Sequence, residues 1–187
     1  MALSNVLSSF DQVNNGDVIY SQILHAEYFE EFGWYGSLEN IDINTMYKLY
    51  ISNTQTLEFR GLPLFPPTTA IDLQYGWNWI GYTPQVIHSV NSALSGISNN
   101  LLYNGTSIIS SQNEGFAIYY GEQLGWYGNL HYLEPGQGYK LLIQNSGEFF
   151  YPDNKLIFTR VPGENNYMPN TISDWNINPY SYQFISF

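Results

Sequence analysis

The sequence has no cysteine among its 187 residues. Disulfide bonds, thiolate metal sites and cysteine nucleophiles are therefore excluded. Basic residues are also scarce: five Lys and Arg side chains oppose 16 Asp and Glu, which gives a formal net charge of −11 at pH 7. Because the few basic residues are scattered along the chain, and the net charge repels phosphate, no nucleic-acid partner is expected.

Long apolar runs are missing as well. No stretch approaches the roughly 18 apolar residues that suggest a membrane-spanning helix, so no membrane insertion is expected. The first ten residues, MALSNVLSSF, have neither a basic segment nor a long apolar segment. They are not expected to act as a signal peptide, and any export signal would belong to a longer parent protein.

Aromatic residues, by contrast, are abundant. The chain has 17 Tyr, 11 Phe and 5 Trp, which together make 18% of the residues. Aromatic side chains fit the half-buried, pleated surface of a β-sheet, and the pattern shows short apolar runs separated by turn-forming residues. The composition therefore favours a mainly β fold, and the length allows one large domain or two small ones.

An internal repeat is the clearest pattern in the sequence. The block GWYGSL begins at Gly33 and GWYGNL begins at Gly125, an offset of 125 − 33 = 92. MYKLYISN from Met46 is answered by GYKLLIQN from Gly138 at the same offset. Three further blocks recur in the same order: LSNVLSSF with VNSALSGI, VIYSQ with IISSQ, and AEYF with AIYY. Five blocks in one order predict two tandem copies of a small, domain-sized unit.

These blocks divide the chain into four parts: copy one at 1–62, a Pro-rich connector at 63–70, copy two at 71–152, and a C-terminal extension at 153–187. Copy two opens with the strand-like IDLQYGWNWIGY, and copy one has no such strand at its start. In the extension, Asp174-Trp175-Asn176-Ile177 echoes Gly76-Trp77-Asn78-Trp79. This segment is expected either to pack beside copy one and fill the missing strand, or to begin a further domain or pair with another chain.

Each copy is predicted to contain one short helix and an antiparallel sheet. Apolar residues spaced i, i+3, i+4 and i+7 predict a helix of two to three turns in both copies: Leu3, Val6, Leu7 and Phe10, and Val90, Ala93, Leu94 and Ile97. Ser89 is placed to cap the second helix. The expected fold is mainly β (α+β), with two tandem copies of a small antiparallel sheet, each with one short helix, related by a pseudo-two-fold axis.

The ordered blocks GWNWIGYTP, SVNSALSGI, GTSIISSQ, GFAIYY, GWYGNLHYLEPGQGYKLLI and EFFYP resemble a known repeat module. That module occurs in large secreted, multimodular proteins of Bacteroidetes and in related surface proteins from marine metagenomes and large DNA viruses. The resemblance covers roughly residues 2–152. It implies an extracellular location, tandem arrays and a role in adhesion or glycan contact, with no catalytic residues.

The sequence offers no clear catalytic or metal-binding constellation. Pairs of acidic residues lie near the aromatic blocks, but they do not match between the copies: Glu30 with Glu31, and Glu114 with Glu122. His25, His88 and His131 are not spaced as metal ligands. Asp42 with Asn44, or Asp153 with Asn154, supplies far fewer than the about six to eight oxygens that calcium takes. The chain is expected to be no enzyme and to hold no metal and no cofactor.

The aromatic residues are the candidate ligand-binding groups. Trp34 and Tyr35 in copy one match Trp126 and Tyr127 in copy two, and Gly residues flank both pairs. Exposed rings at these places would stack on sugars, whereas buried rings would anchor the core of a small module. Trp79 is a further candidate, and strand alternation is expected to expose it and to bury Trp77.

These patterns favour a non-catalytic module on an extracellular, cell or virion surface that binds a glycan or a neighbouring protein. Two equivalent Trp-Tyr sites would increase avidity. The alternative is a purely structural spacer or assembly subunit of a virion, filament or surface array, with no small ligand. A glycan-active enzyme would need a cleft lined by paired carboxylates.

Overall fold

A computed structural model describes residues 1–58 and 65–153, together with the backbone of residues 175–177 and 183–185. Two short helices are present, α1 (Leu3–Val6) and α2 (Val90–Ala93), with 3₁₀ turns at Leu7–Ser9, Pro66–Thr68 and Asn99–Leu101. Strands β1 to β5 are Val18–Tyr20, His25–Phe29, Gly33–Gly36, Tyr47–Tyr50 and Gln55–Leu57. Strands β6 to β10 are Ile71–Leu73, Gly76–Gly81, His88–Ser89, Ile108–Ser110 and Phe116–Tyr119. Strands β11 to β16 are Trp126–Gly128, Tyr132–Leu133, Gly138–Ile143, Gly147–Phe149, Trp175–Ile177 and Gln183–Ile185.

Two five-stranded antiparallel sheets dominate the fold. The first sheet has the order β16-β4-β1-β2-β3, and the second has the order β11-β10-β9-β13-β7. Three two-stranded ladders complete the structure, in which β12 pairs with β8, β14 with β6, and β15 with β5. The prediction of a mainly β fold with short helices is therefore confirmed.

Each sheet covers a hydrophobic core of its own on one face. The first core includes Ile19, Leu49 and Ile51, and the second includes Ile109, Leu141 and Ile143, all fully buried. Within each five-stranded sheet, buried residues alternate with half-buried or exposed ones, as in strands β4 and β13. This period of two means that only one face of each sheet lies on a core.

The helices are shorter than the sequence predicted. α1 and α2 have four residues each, which is about one turn instead of two to three, and α1 continues only as the 3₁₀ turn Leu7–Ser9. All eight apolar residues of the two helical patterns are nevertheless buried. A helix this short is not stable alone, so its packing on the core holds it in place. Ser89 accepts a hydrogen bond from the Ser92 amide at 3.2 Å, which confirms its predicted role as the cap of α2.

Two strands of the C-terminal extension pair with strands of the first half of the chain. β16 lies antiparallel to β4, with Phe184 opposite Lys48, and β15 lies antiparallel to β5, with Trp175 opposite Leu57. In the second half, β7 pairs with β13 and β6 pairs with β14. Gln183–Ile185 therefore takes the place beside β4, whereas the echo of Gly76–Trp79 had pointed to the Trp175 segment.

A buried carboxylate, Asp17, connects β1 to two loops of the first sheet. Its side chain is 1% exposed and accepts hydrogen bonds from the Asn14 amide at 2.9 Å and the Ser52 amide at 2.8 Å. The Ser52 hydroxyl donates a third at 2.5 Å. Removing the carboxylate leaves three donors without this acceptor in a buried place, which is destabilising.

We expect Asp17→Ala to lower the free energy of unfolding by about 2–4 kcal/mol, because hydrogen bonds to a charged group contribute more than neutral ones. Asp11→Ala is the matched control, since Asp11 is exposed and its loss should change stability by less than about 0.5 kcal/mol. Urea unfolding followed by circular dichroism measures both. Equal effects of the two substitutions would contradict the structural role of Asp17.

Candidate functional site

The face of each sheet that points away from its core is the candidate functional surface, here called the outer face. It carries the alternate strand residues that the cores do not bury. On the second sheet these are Trp77, Trp79, Ile108, Ser110, Phe116, Ile118, Tyr127, Lys140 and Leu142. Most of them are aromatic or aliphatic, which is uncommon for a sheet face that is not buried.

One row of apolar side chains crosses all five strands of the second sheet. The strand registers place Tyr127 beside Ile118, Ile118 beside Ile108, Ile108 beside Leu142, and Leu142 beside Trp77. Tyr127 and Trp77, at the two ends, are 72% and 44% exposed. With about 4.8 Å between strands, this row is roughly 19 Å long. It forms an apolar strip with an exposed aromatic ring at each end.

A second row, the central row, continues across both sheets. In the second sheet, Phe116, Ser110, Lys140 and Trp79 lie side by side on β10, β9, β13 and β7. In the first sheet, His25, Tyr20 and Lys48 lie side by side on β2, β1 and β4. The rings of His25 and Tyr20 are stacked, with centroids 5.9 Å apart.

Trp79 joins the two halves of the central row. The Lys48 ammonium of the first sheet lies 4.7 Å from the centroid of the Trp79 ring, and the Lys140 ammonium of the second sheet lies 5.4 Å from it. Both distances are typical of cation–π contacts. Burial, followed by the positive charge of Lys140, lowers the pKa of Lys48. Two cations from different sheets thus converge on one tryptophan.

The backbone of β7 is fixed to the first half of the chain. The Gln22 side chain donates to the Trp77 carbonyl at 2.7 Å and accepts from the Trp79 amide at 2.9 Å. The Met46 amide donates to the Trp79 carbonyl at 3.2 Å, and the Gly81 amide donates to the Asn44 carbonyl at 2.9 Å. These contacts occupy the outer edge of β7 and bring Trp79 next to Lys48.

The two GWYG motifs separate their aromatic residues between the two faces. Trp126 is 6% exposed and packs on Tyr119 with ring centroids 5.5 Å apart, and Trp34 is half-buried against Tyr28. Tyr35 and Tyr127 are each 72% exposed. Adjacent residues of a strand point to opposite faces, so each motif supplies one ring to the core side and one to the outer face.

The first and the last glycine of each GWYG motif are required for different structural reasons. Gly33 and Gly125 open the motifs with positive φ angles of 74° and 67°, where a side chain would be strained. Gly36 and Gly128 close them where the preceding strand approaches, and a Cβ atom there would collide with the carbonyl oxygens of His25 and Phe116 respectively. Each motif therefore begins at a glycine whose backbone conformation disfavours other residues.

The prediction that Trp77 is the buried tryptophan of β7 was wrong. Trp77 is 44% exposed, Trp79 is half-buried, and both lie on the outer face. Residues two positions apart share a face of a strand, so alternation could not separate them. The core-facing residues of this strand are Asn78 and Ile80.

An open depression of about 370 Å³ lies beside the Tyr127 end of the apolar row. Trp126, Tyr127, His131 and Tyr132 contribute to its walls. Asn91, which also lines the depression, accepts a hydrogen bond from the Trp126 amide at 2.7 Å and donates one to the Trp126 carbonyl at 3.2 Å. The depression extends the exposed aromatic surface around Tyr127 to Tyr132, which is 56% exposed.

The acidic pairs considered from the sequence are on exposed turns. Glu30, Glu31, Glu114 and Glu122 are all exposed. Burial, and then the charge of Glu134, raises the pKa of Glu114. Glu122 accepts a hydrogen bond from Asn99 at 2.6 Å. These contacts do not place Glu114 and Glu122 together as a pair.

His88 and Asp42, which were considered as metal ligands from the sequence, form contacts with other residues of the fold. His88 lies 2.6 Å from the Tyr82 hydroxyl, and burial lowers the pKa of His88. Asp42 accepts a hydrogen bond from the Asn44 amide at 2.9 Å, which forms a local turn. Within residues 1–58 and 65–153, no three His, Asp or Glu side chains group as metal ligands do. Asn154, of the second calcium pair, lies outside the described residues.

Contributors to this surface that were missed from the sequence include Ile108, Ile118, Leu142 and Gln22, and also Tyr20, Lys48, Ser110, Phe116 and Lys140. A signal for Gln22 was present, since Ser-Gln ends both VIYSQ and IISSQ. The three aliphatic residues carry no signal of their own, because a buried and an exposed aliphatic residue look alike in a short apolar run.

No family model matches the sequence, and neither a curated protein nor a solved structure matches it. Among the helices in the described part of the chain, none has the length and apolar character needed to cross a membrane.

Proposed function

We propose that this protein is a non-catalytic module of an extracellular, cell or virion surface, and that it binds a glycan on its outer face. The observation that carries the proposal is the continuous apolar row from Tyr127 to Trp77, which ends in two exposed rings. Sugar rings present an apolar face of C–H groups that stacks on aromatic side chains. A strip roughly 19 Å long would contact several sugars of one chain.

The composition of the face favours a glycan over a protein partner. Lys48 and Lys140 lie in the middle of the combined face. Lysine is depleted from the cores of protein–protein interfaces, where burying its ammonium group is costly. Polar groups between aromatic rings, such as Ser110 and Lys140, instead provide the hydrogen bonds that sugar hydroxyls require.

Affinity gel electrophoresis against a panel of soluble polysaccharides tests this function. We expect Tyr127→Ala and Trp77→Ala each to weaken binding by about tenfold, which corresponds to about 1.4 kcal/mol. Both side chains are exposed, so both variants should keep the fold, as circular dichroism would verify. Tyr103→Ala is the matched control, because Tyr103 is 54% exposed but lies in the turn before β9.

Saturable binding that is lost in the two face variants and kept in Tyr103→Ala would support the outer face as the site. Binding that survives both face substitutions would place the site elsewhere and overturn the assignment. If the folded wild-type protein binds none of the polysaccharides, the alternative of a structural spacer or assembly subunit is favoured instead.

A further inference from the structure

The edge strand β3 of the first sheet has unpaired backbone groups at Trp34. β3 lies at the end of the sheet beside β2, where Trp34 stands opposite Tyr28. The Tyr28 amide donates to the Asp17 carbonyl, next to β1, at 2.8 Å. Because opposite residues of an antiparallel pair direct their backbone groups either toward each other or both away, the Trp34 amide and carbonyl point away from β2. Among the described residues, no group is hydrogen-bonded to either of them.

The matching edge of the second sheet is closed by the chain itself. There the Asn91 side chain of α2 is hydrogen-bonded to both the amide and the carbonyl of Trp126. A Cβ atom added to Gly125, at the start of this motif, would collide with the Asn91 side chain. A Cβ atom added to Gly33, at the start of the first motif, would meet no atom within 4 Å. The edge of β3 is therefore open where the edge of β11 is filled.

One residue of the short helices accounts for this difference. The two helices dock in the same way, because the Leu3 and Val90 amides donate, at 2.9 and 3.0 Å, to carbonyls in the loops that follow the two GWYG motifs. One residue further along, Ser4 stands in α1 where Asn91 stands in α2. A serine side chain is shorter than a carboxamide and has a single oxygen, so it does not span an amide and a carbonyl as Asn91 does.

The surroundings of the open edge are acidic. Four carboxylates lie around β3: Glu27 on β2, Glu30 and Glu31 in the preceding turn, and Glu39 in the loop that follows. The basic residues of the described chain, Lys48 and Lys140, lie on β4 and in the second sheet. A second copy of this chain would bring the same carboxylates and a net charge of −11 to the edge. A basic partner would be attracted instead.

We propose that β3 binds an extended, basic segment of a partner protein, which adds to the edge of the first sheet as a further strand. The Trp34 amide and carbonyl bond to the backbone of the partner, and its Lys and Arg side chains pair with the glutamates around β3. Tyr35, which is 72% exposed, contacts the side chains of the added strand on the outer face. In this mode of recognition, main-chain hydrogen bonds supply affinity and side chains supply specificity. The edge is separate from the apolar row of the second sheet, so this inference goes beyond the proposed glycan binding.

A short synthetic peptide that alternates Lys with Thr is the probe, and a peptide that alternates Glu with Thr is its control for charge. We expect the full-length protein to bind the Lys peptide at least about tenfold more tightly than the Glu peptide. In NMR spectra of the ¹⁵N-labelled protein, the Lys peptide should shift the resonance of the Trp34 amide, because this group gains a hydrogen bond.

Two substitutions of Ser4 make a matched pair. Ser4→Asn should close the edge of β3 as Asn91 closes that of β11, and should weaken binding of the Lys peptide by about tenfold or more. Ser4→Ala leaves the edge open and should leave binding unchanged. Ser4 is exposed, so both variants should keep the fold, as circular dichroism would verify. Glu31→Gln should weaken binding about threefold at low salt, whereas Glu148→Gln, on β14, should not.

Several outcomes would overturn the proposal. Equal binding to the wild type and to Ser4→Asn, or binding that leaves the Trp34 resonance in place, would put the site elsewhere. Equal binding of the two peptides would contradict a basic partner. Failure of the Lys peptide to bind would overturn strand addition by such a segment, and dimers of the wild type that Ser4→Asn abolishes in sedimentation would make a second copy the occupant. None of these measurements involves a polysaccharide, so none bears on the glycan-binding function.

Discussion

A chain that ends at Asp153 is expected to lose the first sheet and to keep the second. The truncation removes β15 and β16, which leaves the backbone edges of β4 and β5 without the strands that pair with them. Water would then reach a core that contains Leu49 and Leu57, which are 0% and 4% exposed. Since unpaired strand edges and newly exposed apolar surface both destabilise, we expect a loss of several kcal/mol, enough to unfold a small sheet.

Hydrogen exchange read by mass spectrometry distinguishes the two halves. Peptides from β1, β2 and β4 should exchange rapidly in the truncated chain, whereas peptides from β9, β10 and β13 should keep their protection, because the second core is separate. Adding a synthetic peptide of residues 171–187 should restore protection in the first sheet, and a scrambled peptide should not. Unchanged protection in the truncated chain would show that the first sheet does not depend on these strands.

Alkaline pH is expected to unfold the second core before the first. The second core buries Tyr82, Tyr119, Tyr139 and Tyr151, and burial is the main cause that raises the pKa of each above its ordinary value near 10. Among the residues that the structure describes, the first core buries one tyrosine, Tyr47, whose pKa is also raised by burial. Four ionisable groups in one core make its stability more sensitive to high pH than one group does.

The direction of this effect follows from proton linkage. The folded state keeps these tyrosines protonated at a pH where the unfolded chain has begun to release their protons. The stability that each contributes is therefore complete below about pH 10 and is lost as the pH rises above that value. Each such tyrosine lowers the free energy of unfolding by about 1.4 kcal/mol per pH unit in this range.

Urea unfolding between pH 8 and pH 12, with tyrosinate absorbance measured in parallel, checks this prediction. Tyr151→Phe is the informative variant, because within the described residues its buried hydroxyl has no hydrogen-bond partner to lose. The variant should be at least as stable as the wild type at pH 8 and should lose stability less steeply with pH. Tyrosines that all ionise near pH 10 while the protein stays folded would contradict the prediction.

Much of the fold could be predicted because local patterns report local structure. Short apolar runs between turn-forming residues indicated the strands, and Ser89 indicated the start of α2. These features depend on neighbours in sequence, so a single sequence contains them. The lengths of the helices were overestimated because the apolar spacing continues into residues that form 3₁₀ and other turns.

The candidate site was harder to predict, because it depends on which faces meet. From the sequence, Trp34 with Tyr35 and Trp126 with Tyr127 were each predicted to act together as one binding site. In the structure, each tryptophan lies on the core side of its sheet and each tyrosine lies on the outer face. The contact of Lys48 with Trp79 joins residues from different sheets, and no spacing in the sequence encodes it.

The sequence contained a signal for the C-terminal strand that pairs with β4, but a shorter resemblance, at Trp175, was used in its place. YSYQFISF, from Tyr180, aligns with YGWNWIGY, from Tyr75, over eight positions at an offset of 180 − 75 = 105. This alignment places Ile185 opposite Tyr47 by analogy with Ile80 opposite Tyr139, and these are the registers found. Pairs of similar residues, such as Phe with Trp and Gln with Asn, concealed the match because few of them are identical.

The side-chain amides at two strand edges have a consequence for the behaviour of the protein at high concentration. The Gln22 side chain is hydrogen-bonded to the edge of β7, and the Asn91 side chain is hydrogen-bonded to the edge of β11. Each offers one donor and one acceptor to the strand backbone, as a neighbouring strand would. An open edge of an apolar sheet is a template on which other molecules can add strands and grow into fibrils. By ending the hydrogen-bond ladder at both edges of the second sheet, these two residues are expected to hinder the addition of further strands at those edges.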